Sequence, residues 1–542
     1  MVPQGHDKAR DPSIFLQYIV STHFPPEDAE ACITMKDFEE NAQSEVGVMS
    51  REYVNAVTLV VTALCVVQVV RVLWNWQTEG LRSIPTKGSL GWPILGEMPS
   101  LLRCVGTYTL ESCPRSHLAF VSWLRERVEK YGTMFKTHVL FRPAIMMTTP
   151  EEIRFVLDDP HKKLSNGAPE TFKRLLGSFN VFALEGQTHR DIHKILADLA
   201  LVPELKRKTP EFDRLIRHSV STWNGRTLDL LGAVQYTFFK AMTFNFFGIS
   251  WEHEIADKAA ALLSLVLPGV ISVPINLPGT AFYKAQNARK KLDKIFLPII
   301  QEMRSTGSDG SSKYASVENF PYHSLLKYEI NGEQLSDVAV IDILLSTILS
   351  GEGPSTVVSI ALIYLKKNPP MLKRAQAEVD QLRKQKKESG ETDFSLSDLR
   401  DLKYLTQVFN EALRITTIAP GAVRSATADI HFKGHVIPKG WITVAPFALI
   451  HMDPELYPEP SKFNPDRFEN PPNPASFFPF GRGNRACIGK QFTRLTVLMI
   501  LYHIISNFTW EVVNFTGKLK HLPTFRLLGK VEIAFESRAE LS

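Results

Sequence analysis

The segment FFPFGRGNRACIGK, residues 477–490, gathers a thiol, two arginines and three glycines directly ahead of an apolar run. Within it, Phe480, Gly483, Arg485, Cys487 and Gly489 form the pattern FxxGxRxCxG. These residue types suit a thiolate that ligates haem iron. A thiolate needs hydrogen-bond donors and positive surroundings. A glycine-rich turn aims backbone N–H groups at the sulfur, and such bonds tune a bound iron. Gly483 can take positive φ, and Gly489 lets backbone approach a flat ring closely. Arg485 can reach a propionate in a charge-assisted pair. Phe480 can cover the sulfur and keep water out. A lone cysteine is more commonly a buried structural residue. Five specified positions coincide by chance in on the order of one in ten thousand chains of this length, which favours the ligand.

Positioning that loop requires a helical body. LKYLTQVFNEALRITT carries Leu402, Leu405, Phe409 and Leu413 on one stripe and ends near Pro420. Its EALR places Glu411 and Arg414 at i,i+3 on one face; taken alone this is an ordinary solvated helix turn. A longer helix is capped by Ser336 and Asp337. It runs through VAVIDILLSTILSGEGPSTVVSIALIYLKK and stops before Asn368-Pro369-Pro370. It is apolar nearly all round, so it crosses the core. Pro354 cannot donate to the Ser350 carbonyl, which predicts a kink there. The stretches 305–316 and 384–398 read as exposed loops. ADIHFKG and WITVAPF read as short strands, so the fold class is mainly α with small β-sheets.

These motifs together resemble those of the cytochrome P-450 superfamily, the haem-thiolate monooxygenases, over roughly residues 85–535. The resemblance implies the family fold: a triangular helical body with a long central helix over haem b, whose iron takes an axial thiolate from Cys487. It implies that Glu411, Arg414 and Arg467 of FNPDRF form a buried structural charge network beneath the haem. It also implies propionate contacts from Arg424 and, in LEGQTHRDIHK, from His189 and His193, where the second position usually holds arginine. SLGWPILGE and residues 277–292 resemble plant endoplasmic-reticulum members that oxidise sterols and terpenoids. Family members take electrons from an NADPH-dependent reductase. Lys194, Arg482 and Lys490 suit its docking, although a solvated surface explains them equally well.

The sequence departs from the family at residues 350–356, SGEGPST. Matched on Gly351, the usual proton-relaying acid becomes Gly353 and the threonine Pro354; matched on the downstream Asn-Pro, Glu352 is the acid and Gly353 replaces the threonine, which leaves Glu352, Ser355 and Thr356 as candidates for that catalytic role. Leu345, Leu349, Ile418 and Ala422 are candidates for the substrate pocket or for plain core. Three functions therefore stay open. The first is monooxygenation of a hydrophobic substrate. The second is haem-thiolate isomerisation, dehydration or hydroperoxide rearrangement without O2 activation. The third is a non-catalytic haem-binding membrane protein.

Composition fits a membrane-anchored enzyme. Cys32, Cys65, Cys104, Cys113 and Cys487 form no CxxC pair and no regular framework, which speaks against a disulfide scaffold. Residues 1–50 hold nine acidic and three basic residues, a net of −6, so the remainder of this +5 chain carries +11. No dense basic stripe with interleaved aromatics suggests nucleic acid. Tyr53–Val70 carries no charge, and its 18 residues span about 27 Å as a helix, close to a hydrocarbon core. Trp74 and Trp76 follow as interface anchors. Arg71, Arg82, Lys87 and Arg103 beyond them place the large body in the cytoplasm. The expected organisation is an acidic tail over 1–50, an anchor over 51–76, a Pro/Gly-rich linker over 77–100 and a haem-binding catalytic domain over 101–542. The expected protein is a monomer in the endoplasmic reticulum membrane. Met49, just before the span, offers a second translation start.

Overall fold

The computed structural model describes residues 58–64, 67–68, 86–91, 96–103, 113–139, 142–167, 170–198, 202–270, 272, 274–306, 321–470, 473–515, 518–520, 526–528 and 530–538. The chain divides into two compact units, Met1–Leu81 and Arg82–Ser542. In the first, residues 58–64 and 67–68 are helical, and Leu59, Val60, Val61, Leu64 and Val67 are exposed. The Thr62 hydroxyl donates to the Thr58 carbonyl at 2.7 Å, so it needs no water. The acidic tail, Met49, Trp74 and Trp76 lie outside the described residues.

The second unit carries the candidate site. Its main sheet joins β1 (Met134–Val139), β2 (Arg142–Met147), β3 (Leu164–Asn166), β4 (Ala422–Ala426) and β5 (Ile442–Ala445) in the order β1-β2-β5-β4-β3. The pairing of β5 with β2 is parallel and the others are antiparallel. Arg424 lies opposite both Thr443 and Asn166, which fixes it between two strands.

The helices bury an extended apolar core, and a second cluster with Phe135, Met146 and Ile442 packs on the sheet. Helix α1 (Gly186–Asp198) holds both candidate histidines. The expected single central helix is instead two, α2 (Asp337–Leu349) and α3 (Glu352–Lys367), parted at Ser350 and Gly351. Ser336 caps α2, its hydroxyl accepting from the Ala339 amide. Pro354 is the third residue of α3, in the first turn, where a missing N–H costs nothing. The predicted kink is thus an interruption of the helix at Ser350 and Gly351, just ahead of Pro354. The stretch 384–398 is also more ordered than expected. The helix Pro369–Ser389 continues into it, and buried Lys386 pairs with Asp398 at 2.9 Å. Residues 307–320, most of the other expected loop, lie outside the described residues.

Helix α4 (Lys403–Thr416) follows its sequence pattern. Leu405, Phe409 and Leu413 are buried on it, with Leu402 as its N-cap. The Glu378 carboxylate accepts from the Tyr404 and Leu405 amides at 2.6 and 2.9 Å, satisfying two unpaired donors of the first turn. Helix α5 (Lys490–Asn507) begins directly after the cysteine loop and is buried along nearly its whole length.

Candidate functional site

Cys487 stands three residues ahead of α5, whose N-terminal dipole favours an anion nearby. The Cys487 amide donates to the Phe480 carbonyl at 2.8 Å, closing the loop. Gly483 has φ +71, as its position predicts, and a Cβ there would strike the Leu157 carbonyl. Cys487 is exposed only in the sense that its surface opens onto an interior cavity of about 610 Å³. Burial pushes its thiol pKa up, while the Gly489 amide and the Lys490 charge act in the opposite direction.

Phe480, Arg485, Gly489, His189, His193 and Arg424 line the same cavity. Gly483 does not; it packs against the Leu157 carbonyl of the helix Pro150–Asp158. His193 is hydrogen-bonded through Nε2 to the Ala486 carbonyl at 3.0 Å, one residue before the thiol. His189 is buried, and its pKa is lowered to about 4 by burial and then by the positive charge of Arg485. Arg485 donates to the Leu184 carbonyl at 2.9 Å, and Arg424 to the Val423 carbonyl at 2.9 Å. Neither forms an ion pair with a described residue. Burial and then Arg485 lower the Arg424 pKa to about 10. Asp159 acts on both guanidinium groups and Glu185 on Arg485, but neither carboxylate pairs with them directly, which fits a ligand that brings anionic groups of its own.

On α4, Glu411 and Arg414 are both fully buried. Arg467 approaches Glu411 at 3.4 Å, and the Asn464 amide donates to Glu411 Oε1 at 2.8 Å. The three residues named from sequence are therefore brought together.

The opposite wall differs from the expectation. Ser355 and Thr356 are buried away from the cavity, because the lining positions 347, 350, 351, 354 and 357 keep helical spacing through the break and leave 355 and 356 off that face. Ser355 Oγ has no hydrogen-bond partner among the described residues. The Glu352 side chain lies outside the described part of the structure. Thr347, Ser350, Gly351, Gly353 and Pro354 face the cavity instead. Leu349, Ile418 and Ala422 also line it, whereas Leu345 belongs to the core. The segment contributing Val181 and Phe182 was not anticipated. It is held by the Val181 amide donating to Ser346 Oγ at 3.1 Å. No sequence pattern marks that contact.

The sequence matches the cytochrome P-450 family over residues 106–533. The chain belongs to that family. An abscisic acid 8'-hydroxylase of Solanum lycopersicum is 31% identical over 444 residues, covering 80% of this chain and 87% of the relative. A beta-amyrin 11-oxidase of Glycyrrhiza uralensis is 30% identical over 448 residues, with coverage of 80% and 87%. A retinoic acid-bound cyanobacterial P-450 structure shares the fold, with TM-score 0.69, 24% identity and coverage of 84% of this chain and 100% of that one. P-450 proteins are haem-thiolate monooxygenases that bind iron through a cysteine. The residues present fit that group. Cys487 would supply the sulfur ligand, and Arg424, Arg485, His189 and His193 would hold its two carboxylates.

Proposed function

We propose that this P-450 inserts one atom of O2 into a terpenoid- or sterol-class substrate. Its electrons come from an NADPH-dependent reductase, and a single N-terminal helix anchors it in the endoplasmic reticulum membrane. The observation that carries the reading is an apolar cavity that ends on Cys487 and continues between Phe182, Phe238, Met242, Leu267 and Val357. Such a lining binds hydrocarbon by excluding water and leaves orientation to a few polar groups. Two relatives are named for oxidising abscisic acid and beta-amyrin, both isoprenoid skeletons, which supports the substrate class.

Haem, when bound, supplies O2 activation, and a thiolate ligand favours O–O cleavage. The chain's own groups set the conditions. Phe480 and Ile488 shield the sulfur side, and the two arginines neutralise carboxylates. Proton delivery is assigned to the hydroxyls of Ser350 and Thr347, with Glu352 at the head of α3 kept as candidate acid. Ser355 and Thr356 are replaced in that role. Lys194 and Lys490 are exposed near the loop and suit an acidic reductase surface; Arg482 is already paired with Asp158 at 2.8 Å.

A second reading, rearrangement without O2 activation, draws on one observation. Both cavity-facing hydroxyls bond back to main-chain carbonyls, Thr347 to Ile343 at 2.8 Å and Ser350 to Ser346 at 3.2 Å. Reconstitution in lipid with reductase, NADPH, labelled O2 and a terpenoid panel separates the two. Labelled hydroxylated product that Cys487→Ser abolishes supports monooxygenation. Product formed without NADPH supports rearrangement. A thiolate-type ferrous–CO spectrum with no product from any substrate would leave only haem binding.

A further inference from the structure

His451 does not line the cavity, yet it is fully buried and bonded through both ring nitrogens. The Phe478 amide donates to Nε2 at 3.0 Å. A backbone N–H can only donate, so Nε2 is the unprotonated nitrogen. Nδ1 therefore carries the proton and donates to Thr417 Oγ1 at 2.9 Å. The Thr417 hydroxyl then donates onward to the Arg414 carbonyl at 2.7 Å. The three bonds run in one direction, from the Phe478 amide through the imidazole and the hydroxyl to the backbone of α4. The backbone of His451 closes a second link, its carbonyl accepting from Arg414 Nη1 at 2.8 Å.

The far end of this chain is the thiol loop. The Phe478 carbonyl accepts from the Gly481 amide at 3.1 Å, and the Phe480 carbonyl accepts from Cys487 at 2.8 Å. Phe478 is thus where the loop's internal bonds meet a fixed external tether. We propose that His451 is a positioning residue that sets the seat of the Cys487 loop against the Glu411–Arg414 pair.

A merely space-filling ring would not need this bonding. The environment also holds the ring in the required neutral form. Burial, and then the Arg414 charge, lower its pKa to about 3. An imidazolium would present a second donor to the Phe478 N–H and break the chain. A separate tether reaches the same lead-in, from Tyr457 Oη to the Ser476 carbonyl at 2.9 Å. It touches neither Phe478 nor the loop closure, so Tyr457→Phe is the matched control.

The inference rests on the haem-thiolate reading, and its test has one readout that does not. Full-length protein in lipid is prepared as wild type, His451→Leu, His451→Gln and Tyr457→Phe. Amide exchange at Phe478 and the ferrous–CO spectrum are measured for each. His451→Leu is expected to speed Phe478 exchange at least tenfold and to lower the thiolate-type fraction of the spectrum at least threefold. His451→Gln, whose Oε1 can accept from Phe478, is expected to recover both to within twofold, and Tyr457→Phe to change neither. Wild-type exchange and spectrum in His451→Leu overturn the proposal. If that variant does not fold, Thr417→Val removes the acceptor for Nδ1–H together with the hydroxyl's bond to the Arg414 carbonyl; unchanged Phe478 exchange in it is equally decisive against the tether. A wild-type protein without the thiolate-type band defeats the haem-thiolate reading instead, while the exchange result still judges the tether.

Discussion

Glu411 and Arg414, one helical turn apart on α4, form a two-point ion pair with no solvent exposure. Arg414 Nε lies 2.7 Å from Glu411 Oε2, and Nη2 lies 2.8 Å from Oε1. Burial makes the pair a poor source of net stability but a costly one to break, because a surviving partner is left charged and dry. Glu411→Gln strands Arg414 and is expected to lose about 3–5 kcal/mol by denaturant unfolding. Arg467→Ala is expected to lose less, since Arg467 stands at 3.4 Å and keeps some exposure.

Gly483→Ala tests the seat of the thiol loop from its other side. A methyl at φ +71 is strained, and here it would also collide with the Leu157 carbonyl. The expected loss is about 1–3 kcal/mol, with a lower yield of pigmented protein. Gly481→Ala is the comparison. Its φ is +64, but its methyl would meet nothing, so it carries the backbone strain without the clash. Equal melting temperatures for the two variants would remove the contact argument.

These two features were legible in the sequence for the same reason. Each depends on residues close together in the chain: EALR within one turn, and GRGNRACIG within one loop. The stripe on α4 was legible because 3.6-residue periodicity survives burial. His451 was not, because its partner Phe478 is 27 residues away and a lone histidine has no pattern around it. Ser355 and Thr356 were misplaced for a different reason. They were named for their hydroxyls, whereas helical spacing from Thr347 through Ser350, Gly351, Pro354 and Val357 puts positions 355 and 356 off the cavity face. The helix Pro369–Ser389 outran its expected end because Lys386 finds Asp398, a tertiary contact that overrides a charged, loop-like composition.

Arg424→Gln should act with opposite sign in the two states of the protein. Without haem, Arg424 and Arg485 repel one another in a desolvated wall, and burial has already lowered both guanidinium pKa values. Removing one charge is expected to raise the melting temperature of the haem-free protein. With haem, the same change removes a partner for its carboxylates and is expected to speed haem transfer to an apo-acceptor protein at least fivefold. Parallel shifts in both states would mean that the arginine serves packing alone.

Acid sensitivity follows from the buried histidines. His189 and His451 are lowered from 6.5 to about 4 and about 3, first by burial and then by neighbouring arginines. Between 6.5 and those values the unfolded chain binds protons that the native protein refuses. Stability is therefore complete above about pH 6.5 and falls as pH drops toward 4. Unfolding midpoints at pH 7.5, 6.5, 5.5 and 4.5 should decline through this window, and His451→Gln should flatten the decline. A flat wild-type profile would contradict the buried neutral rings.

The break in the central helix yields a contrast between neighbouring hydroxyls. Ser350 faces the cavity, whereas Ser355 is fully buried with an unpartnered Oγ. Replacing an unsatisfied buried hydroxyl with a methyl relieves a desolvation cost. Ser355→Ala is therefore expected to be neutral or mildly stabilising, by up to about 1 kcal/mol, and to leave product per NADPH unchanged. Thr356→Val should likewise leave that ratio within twofold. Ser350→Ala removes a hydroxyl at the cavity surface, where proton delivery is assigned. It is expected to lower product per NADPH and raise released peroxide severalfold, with substrate affinity and melting temperature held near wild type. If Ser355→Ala uncouples the reaction while Ser350→Ala does not, the proton route runs along the buried side of α3 and the assignment to Ser350 fails.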